Sequence, residues 1–173
     1  MSDHLKYIAH YPQQIRTQVE QLLAQGSLGH YLTSRYPTTH DVRSDSALRD
    51  LVEQYKRRYM KRAAPLSKVA YDPNIHLVKH ALGTHTRISR VQGNKLKSKN
   101  EIRISRLFKD APLGMLEMIL VHELAHLKEA NHDKAFYQLC QHMQPDYHQR
   151  ELDTRLYLIE LEANGPLYEA SGT

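Results

Sequence analysis

The stretch PLGMLEMILVHELAHLKEANH, residues 112–132, decides how this chain is read. Asp110 stands just ahead of Pro112, and a capping carboxylate followed by a first-turn proline predicts a helix start. Apolar residues fill most positions as far as Leu127, so the helix is expected to run to about Ala130, with Asn131 ending it. Within it stands His122-Glu123-Leu124-Ala125-His126. Residues four apart share a helix face, so His122 and His126 can offer two imidazoles to one ion. Glu123 is turned about 100° away, where it can take a proton from a water held by that ion. His132 follows six residues after His126, and a chain that turns there brings a third imidazole under the metal. Three histidines with an open fourth position mark a catalytic zinc. The expectation is one zinc ion per chain on His122, His126 and His132, with Glu123 as general base. Glu129, Glu151 and Glu160 are the alternative third ligands. Tyr147, His148 and His85 are the candidates for stabilising an oxyanion.

The surroundings of the motif are apolar. Met115, Met118 and Ile119 share the histidine face, and Leu116, Leu120 and Leu127 lie beyond Glu123. Polar groups buried there need partners, because unpaired burial costs several kcal/mol. Downstream, Asp133 starts a helix to about Met143, whose stripe Phe136, Leu139, Cys140, Met143 reads as core, and Pro145-Asp146 starts a last helix to about Glu162. Upstream, apolar spacing predicts helices over 13–25, from Ser27 to about Leu32, and from Ser44 or Ser46 past Tyr59. Between these regions, 75–78, 86–91 and 101–105 read as three strands, with a loop over 92–100. The fold class is α+β: a small three-stranded sheet packed on an active-site helix, flanked by N-terminal and C-terminal helices. A helical extension is expected over 1–44, the hydrolase domain over 45–165 and a tail over 166–173.

Composition narrows the class further. Of 173 residues, 40% are hydrophobic and 25% charged, as in soluble globular proteins. No signal peptide or membrane span is apparent, and the one cysteine, Cys140, leaves no internal disulfide, so the protein is expected to be cytoplasmic. The formal net charge is +5. Between His85 and Lys109 stand Arg87, Arg90, Lys95, Lys97, Lys99, Arg103, Arg106 and Lys109 against a single acid, Glu101. A second basic cluster runs Lys56, Arg57, Arg58, Lys61, Arg62. Such clusters are either solvated faces or landing surfaces for nucleic acid or nucleotide phosphates.

The run from Val121 to Lys128, continued by Asn131 to Phe136 and Pro145-Asp146-Tyr147, resembles the YgjP-like metallopeptidase family and, more distantly, the SprT-like zinc proteases. The likeness extends over roughly residues 65–150. It implies a minimal zincin-type fold, His122, His126 and His132 as ligands, and Glu123 as the catalytic carboxylate. Family members often carry a Gly-Ser-Cys-Ser-like turn where this chain has Gly83-Thr84-His85-Thr86. The leading expectation is a metallopeptidase acting on a peptide or protein, with the substrate strand added beside Ile102 to Ser105. One rival is a metal-dependent nucleoside triphosphate pyrophosphohydrolase, with the basic residues of 87–109 on the phosphates. Another is a nucleic-acid-associated binding protein with a silent metal site.

Overall fold

The computed structural model describes residues 3–75, 83–92 and 95–169, with the backbone alone for the strand residues 83–92 and 95–99. Among the described residues six α-helices surround a small sheet, an α+β arrangement. The helices are α1 (Gln13–Ala24), α2 (Leu28–Arg35), α3 (Asp45–Tyr59), α4 (Leu113–Ala125), α5 (Lys134–Met143) and α6 (Tyr147–Asn164). The strands are β1 (Leu66–Asp72), β2 (Gly83–Gln92) and β3 (Lys95–Ser105), and short 3-10 helices cover Asp3–Ile8 and Arg106–Asp110.

Helix α4 is the centre of the molecule. Met115, Leu116, Met118, Ile119, Leu120, Val121 and Leu124 are all buried, on every side of the helix. It packs against α3, α5, α6, β2 and β3. Seven such side chains contribute about 1.5–3 kcal/mol each on burial, more than enough to offset the several kcal/mol that one buried carboxylate costs. The expected Asp110 cap is not formed. Pro112 occupies the cap position without a side-chain hydrogen bond, and Asp110 instead receives Arg43 Nη1 at 2.7 Å. The helix also ends at Ala125, five residues short of expectation.

The strand order is β1-β3-β2. β3 pairs in parallel with β1, Val69 opposite Ile102, and antiparallel with β2, Gly83 opposite Ile104 through Gln92 opposite Lys95. Two expectations fail here. The loop over 92–100 is strand on both sides of 93–94, so β2 and β3 form a longer hairpin than the sequence pattern suggested. β1 was not foreseen: Leu66–Asp72 shows no strict alternation, with Val69, Ala70 and Tyr71 buried in succession. The strand expected at 75–78 lies, beyond Ile75, outside the described residues. The placing of β3 also corrects the substrate expectation. Ile102–Ile104 pairs with β1 on one side and β2 on the other, so no peptide can add beside those residues.

The remaining helices follow their local signals. Ser44 Oγ accepts Ala47 N–H at 3.0 Å and starts α3, and Asp133 accepts Phe136 N–H at 3.0 Å and starts α5. Gly26 ends α1 with φ +69°, the left-handed conformation glycine adopts without penalty. Leu5, Ile8, Val19, Leu28 and Leu32 from the first 35 residues share one continuous core with α4 and α6. No described helix is long and apolar enough to cross a membrane.

Candidate metal centre

His122 and His126 leave the last turn of α4, and His132 leaves the connection to α5. Their Nε2 atoms form a triangle: 3.3 Å from His122 to His126, 2.9 Å from His126 to His132, and 3.3 Å from His132 to His122. The local reason is the early end of α4. Leu127 N–H bonds to Leu124 O at 3.0 Å and Lys128 N–H to Ala125 O at 3.1 Å, a tightened last turn that folds the chain back over itself. Lys128, Glu129 and Ala130 are all good helix formers, so local propensity favours continuation and the turn forms against it.

The protons on these rings can be assigned from their other partners. His126 Nδ1 lies 3.0 Å from the carbonyl of Glu129; a carbonyl only accepts, so Nδ1 carries the hydrogen and Nε2 a lone pair. His122 Nδ1 lies 2.7 Å from the hydroxyl of Tyr147, a partner that can accept in the same way. Lone pairs then face one another at 3.3 Å, a repulsive arrangement unless something positive lies between them. Nitrogen donors at the roughly 2.0–2.1 Å of a tetrahedral zinc site stand about 3.3 Å apart. The donor set therefore fits a divalent cation. Burial, then the mutual proximity of His126 and His132, holds His122 well below its ordinary pKa, in the neutral form that binds metals.

Phe136 forms the floor. Its ring lies 5.0, 4.6 and 4.9 Å from the rings of His122, His126 and His132. The sequence placed it in the core stripe of α5 and in the run that resembles the family, without a part in the metal centre. Glu123 is almost fully buried, and burial pushes its carboxyl up to about 8. Its Oε2 has no hydrogen-bond partner among the described residues. A buried carboxyl oxygen without a partner, on the residue that follows His122 along α4, is costly in isolation and useful beside a cation.

The other candidates fall away from the triangle. Glu129 contributes its carbonyl to His126. Glu151 pairs with Arg155 at 3.2 Å, and Glu160 accepts Asn164 Nδ2 at 3.0 Å. Tyr147, foreseen only as an oxyanion candidate, sits behind His122 on the Nδ1 side, away from Nε2. His148 is exposed beside Tyr137, ring centres 5.2 Å apart, and the side chain of His85 lies outside the described residues. Cys140 is buried as core, as its stripe indicated.

Three convergent imidazole nitrogens and an adjacent buried carboxylate are the equipment of a metal-dependent hydrolase. Comparison with known proteins gives the lineage. The family described as YgjP-like, metallopeptidase domain, matches residues 7–155, and the chain belongs to it. The match begins well ahead of Asp45, so the family unit takes in helices that the sequence motifs alone had left aside. The chain is also similar to a protein of Escherichia coli (strain K12) named UTP pyrophosphatase, 52% identical over 158 residues, covering 91% of this chain and 95% of that protein. No solved structure matches the chain.

Proposed function

We propose that this protein is a zinc-dependent nucleoside triphosphate pyrophosphohydrolase. Water adds to the α-phosphorus, the α–β anhydride bond breaks, and the products are a nucleoside monophosphate and pyrophosphate. The observation that carries the hydrolase reading is the triangle of Nε2 atoms, on a helix that also carries the buried, unpartnered Oε2 of Glu123. The choice of substrate is supported by the relative named UTP pyrophosphatase, whose similarity runs over nearly the full length of both chains. Three imidazoles favour zinc over magnesium, which prefers oxygen ligands and keeps its waters.

His122, His126 and His132 would hold the ion, which would supply Lewis acidity and positive charge against the developing negative charge of the reaction. The ion's positive charge would favour the ionised form of Glu123, which burial alone holds neutral up to about 8; as a carboxylate it would accept the proton of the attacking water at Oε2, the atom left without a partner. Tyr147 accepts the hydrogen of His122 Nδ1 and keeps the Nε2 lone pair aimed into the triangle. Cations of 87–99 on the β2–β3 hairpin are proposed to meet the phosphate chain. Arg103 is excluded from that role, because Glu101 at 3.2 Å and Asp72 at 3.3 Å already engage it.

A second reading, a metallopeptidase of minimal zincin type, is favoured by the family's description. One experiment separates the two. Zinc-loaded protein purified without a histidine tag is offered UTP and a mixed peptide library, in parallel with Glu123→Gln. The expected result is release of pyrophosphate from UTP, reduced at least about 10²-fold in the variant, with zinc retained. Peptide cleavage lost in Glu123→Gln, with UTP left intact by the wild type, would transfer the site to the peptidase reading.

A further inference from the structure

A groove opens where the C-terminal end of α3 meets the end of α4. It holds about 860 Å³, within the roughly 300–1,000 Å³ of small-molecule sites. Arg58, Lys61, Arg62 and Lys128 line it, with Leu127 and Leu139 on an apolar wall, and no carboxylate is among the lining residues. The four cations are exposed. None of them has an ion-pair partner among the described residues; Arg58 lies over the ring of Tyr59, 5.1 Å from its centre. Neighbouring acids on the two helices are already engaged. Glu53 faces Arg49 at 3.8 Å, while Glu117 receives the hydroxyl of Tyr55 and faces Arg150 at 3.9 Å.

Cations at helix C-termini are commonly there to complement the backbone dipole. Each terminus carries about half a negative charge, so the ends of α3 and α4 together account for about one unit. Four unit charges leave an excess of about three. None of the three histidines lines the groove, although Leu127 and Lys128 directly follow His126. Helix α3 covers the side of α4 that carries Glu117, and Glu117 is rotated about 140° from His122 and about 180° from His126.

We propose that this groove binds an oligophosphate chain, either free or as the tail of a nucleotide, at a site separate from the three-histidine centre. The guanidinium groups of Arg58 and Arg62 offer forked donors that match phosphate oxygens, and Lys61 and Lys128 add point charges. Leu127 and Leu139 add apolar surface to the lining, and the limited volume suits a compact ligand. The inference does not rest on the hydrolase reading.

Calorimetric titration at low ionic strength, with tripolyphosphate, UTP and UMP, tests it on the wild type and on His126→Ala, which dismantles the histidine triangle. UTP is titrated into His126→Ala only, where turnover does not interfere. Tripolyphosphate is expected to bind both proteins with affinities within about two-fold. Arg58→Gln/Arg62→Gln should weaken that binding at least ten-fold in both backgrounds, without loss of zinc stoichiometry in the first. Lys61→Gln/Lys128→Gln, altered at other exposed positions, should weaken it as well. A stronger response to tripolyphosphate than to UTP assigns a free chain, and the reverse assigns a nucleotide tail. Absence of tripolyphosphate binding, binding that both double variants leave unchanged, equal affinity for UMP and UTP, or preference for a short single-stranded RNA at equal phosphate concentration would each overturn the proposal. Zinc-dependent turnover of UTP by the wild type is read separately, so failure here leaves the hydrolase reading standing.

Discussion

The hydroxyl of Tyr147 makes one hydrogen bond that matters out of proportion to its size. It faces His122 Nδ1 at 2.7 Å from a fully buried position, and such outer partners typically control metal affinity by about 10–100-fold. Tyr147→Phe removes only that oxygen and keeps the ring. Competition with a chromogenic chelator should show zinc affinity falling by about that factor, with an unchanged circular dichroism spectrum; unchanged affinity would leave Tyr147 as packing alone. His40 gives a second single-residue prediction. Its Nε2 lies 2.7 Å from the carbonyl of Phe108, and its Nδ1 accepts Val42 N–H at 2.9 Å, which fixes a neutral ring. Burial lowers its pKa from the ordinary 6.5. A depressed folded-state value means that the unfolded chain takes up the proton first. The stabilisation is therefore complete above 6.5 and is lost as pH falls below it. His40→Asn can keep an acceptor for Val42 but cannot titrate. Melting temperatures measured from pH 7.5 to 5 should fall more steeply in the wild type than in the variant, and parallel slopes would exclude His40 as the group.

Pairs of helices are joined by a few buried polar contacts, and Asp153 on α6 is the clearest. Fully buried, it receives Tyr31 at 3.1 Å, Tyr36 at 2.8 Å, Arg35 Nε at 3.2 Å and Gln149 Nε2 at 3.1 Å. Through Tyr31, Arg35 and Tyr36 it ties α2 and its C-terminal cap to α6. The Arg35 side chain is 44% exposed, so solvent screens that ion pair and its share is small. The larger cost of Asp153→Ala is the set of donors left without an acceptor. Urea unfolding should show a loss of about 3 kcal/mol, whereas Arg35→Ala should cost about 1 kcal/mol or less. Equal losses in the two variants would mean that the ion pair, and not the tyrosine hydroxyls, holds the helices together.

For the whole molecule, the metal is expected to act as a clamp between α4 and α5, since His132 joins the triangle from the segment connecting them. A ligand that binds only the folded state stabilises it by about 4 kcal/mol at a thousand-fold excess over its dissociation constant. For a domain of this size each kcal/mol shifts the melting temperature by about 2–4 °C. Zinc should therefore raise the melting temperature of chelator-treated protein by about 8–16 °C, and His126→Ala should respond little. Metal analysis of the untreated wild type should find close to one equivalent. A wild-type protein whose melting temperature ignores both zinc and chelator would remove the metal from the account.

Local sequence determined a great deal here. The helical spacing of His122 and His126, the serine and aspartate caps of α3 and α5, the apolar filling of α4 and the α+β class all follow from interactions between residues a few positions apart. The approach of His132 to the other two histidines was also legible, because it lies only six residues beyond His126. Most of what the tertiary structure decided depends on contacts between distant segments. The end of α4 at Ala125 is the exception: it runs against the propensity of the next residues and is held by local contacts, a tight turn and the His126 contact with Glu129. β1 lacks alternation because its neighbours bury three consecutive side chains, so its periodicity was invisible. β3 became the middle strand only when β1 paired beside it, 34 positions away at Leu66 and Asn100, and this closed the edge on which peptide addition depended. Tyr147 reaches His122 across 25 residues, and the cations of α3 meet Lys128 only because two helices end at the same place. Sequence spacing encodes neighbours along a helix, but it carries no signal for which distant surfaces meet, since that is set by the packing of the core as a whole.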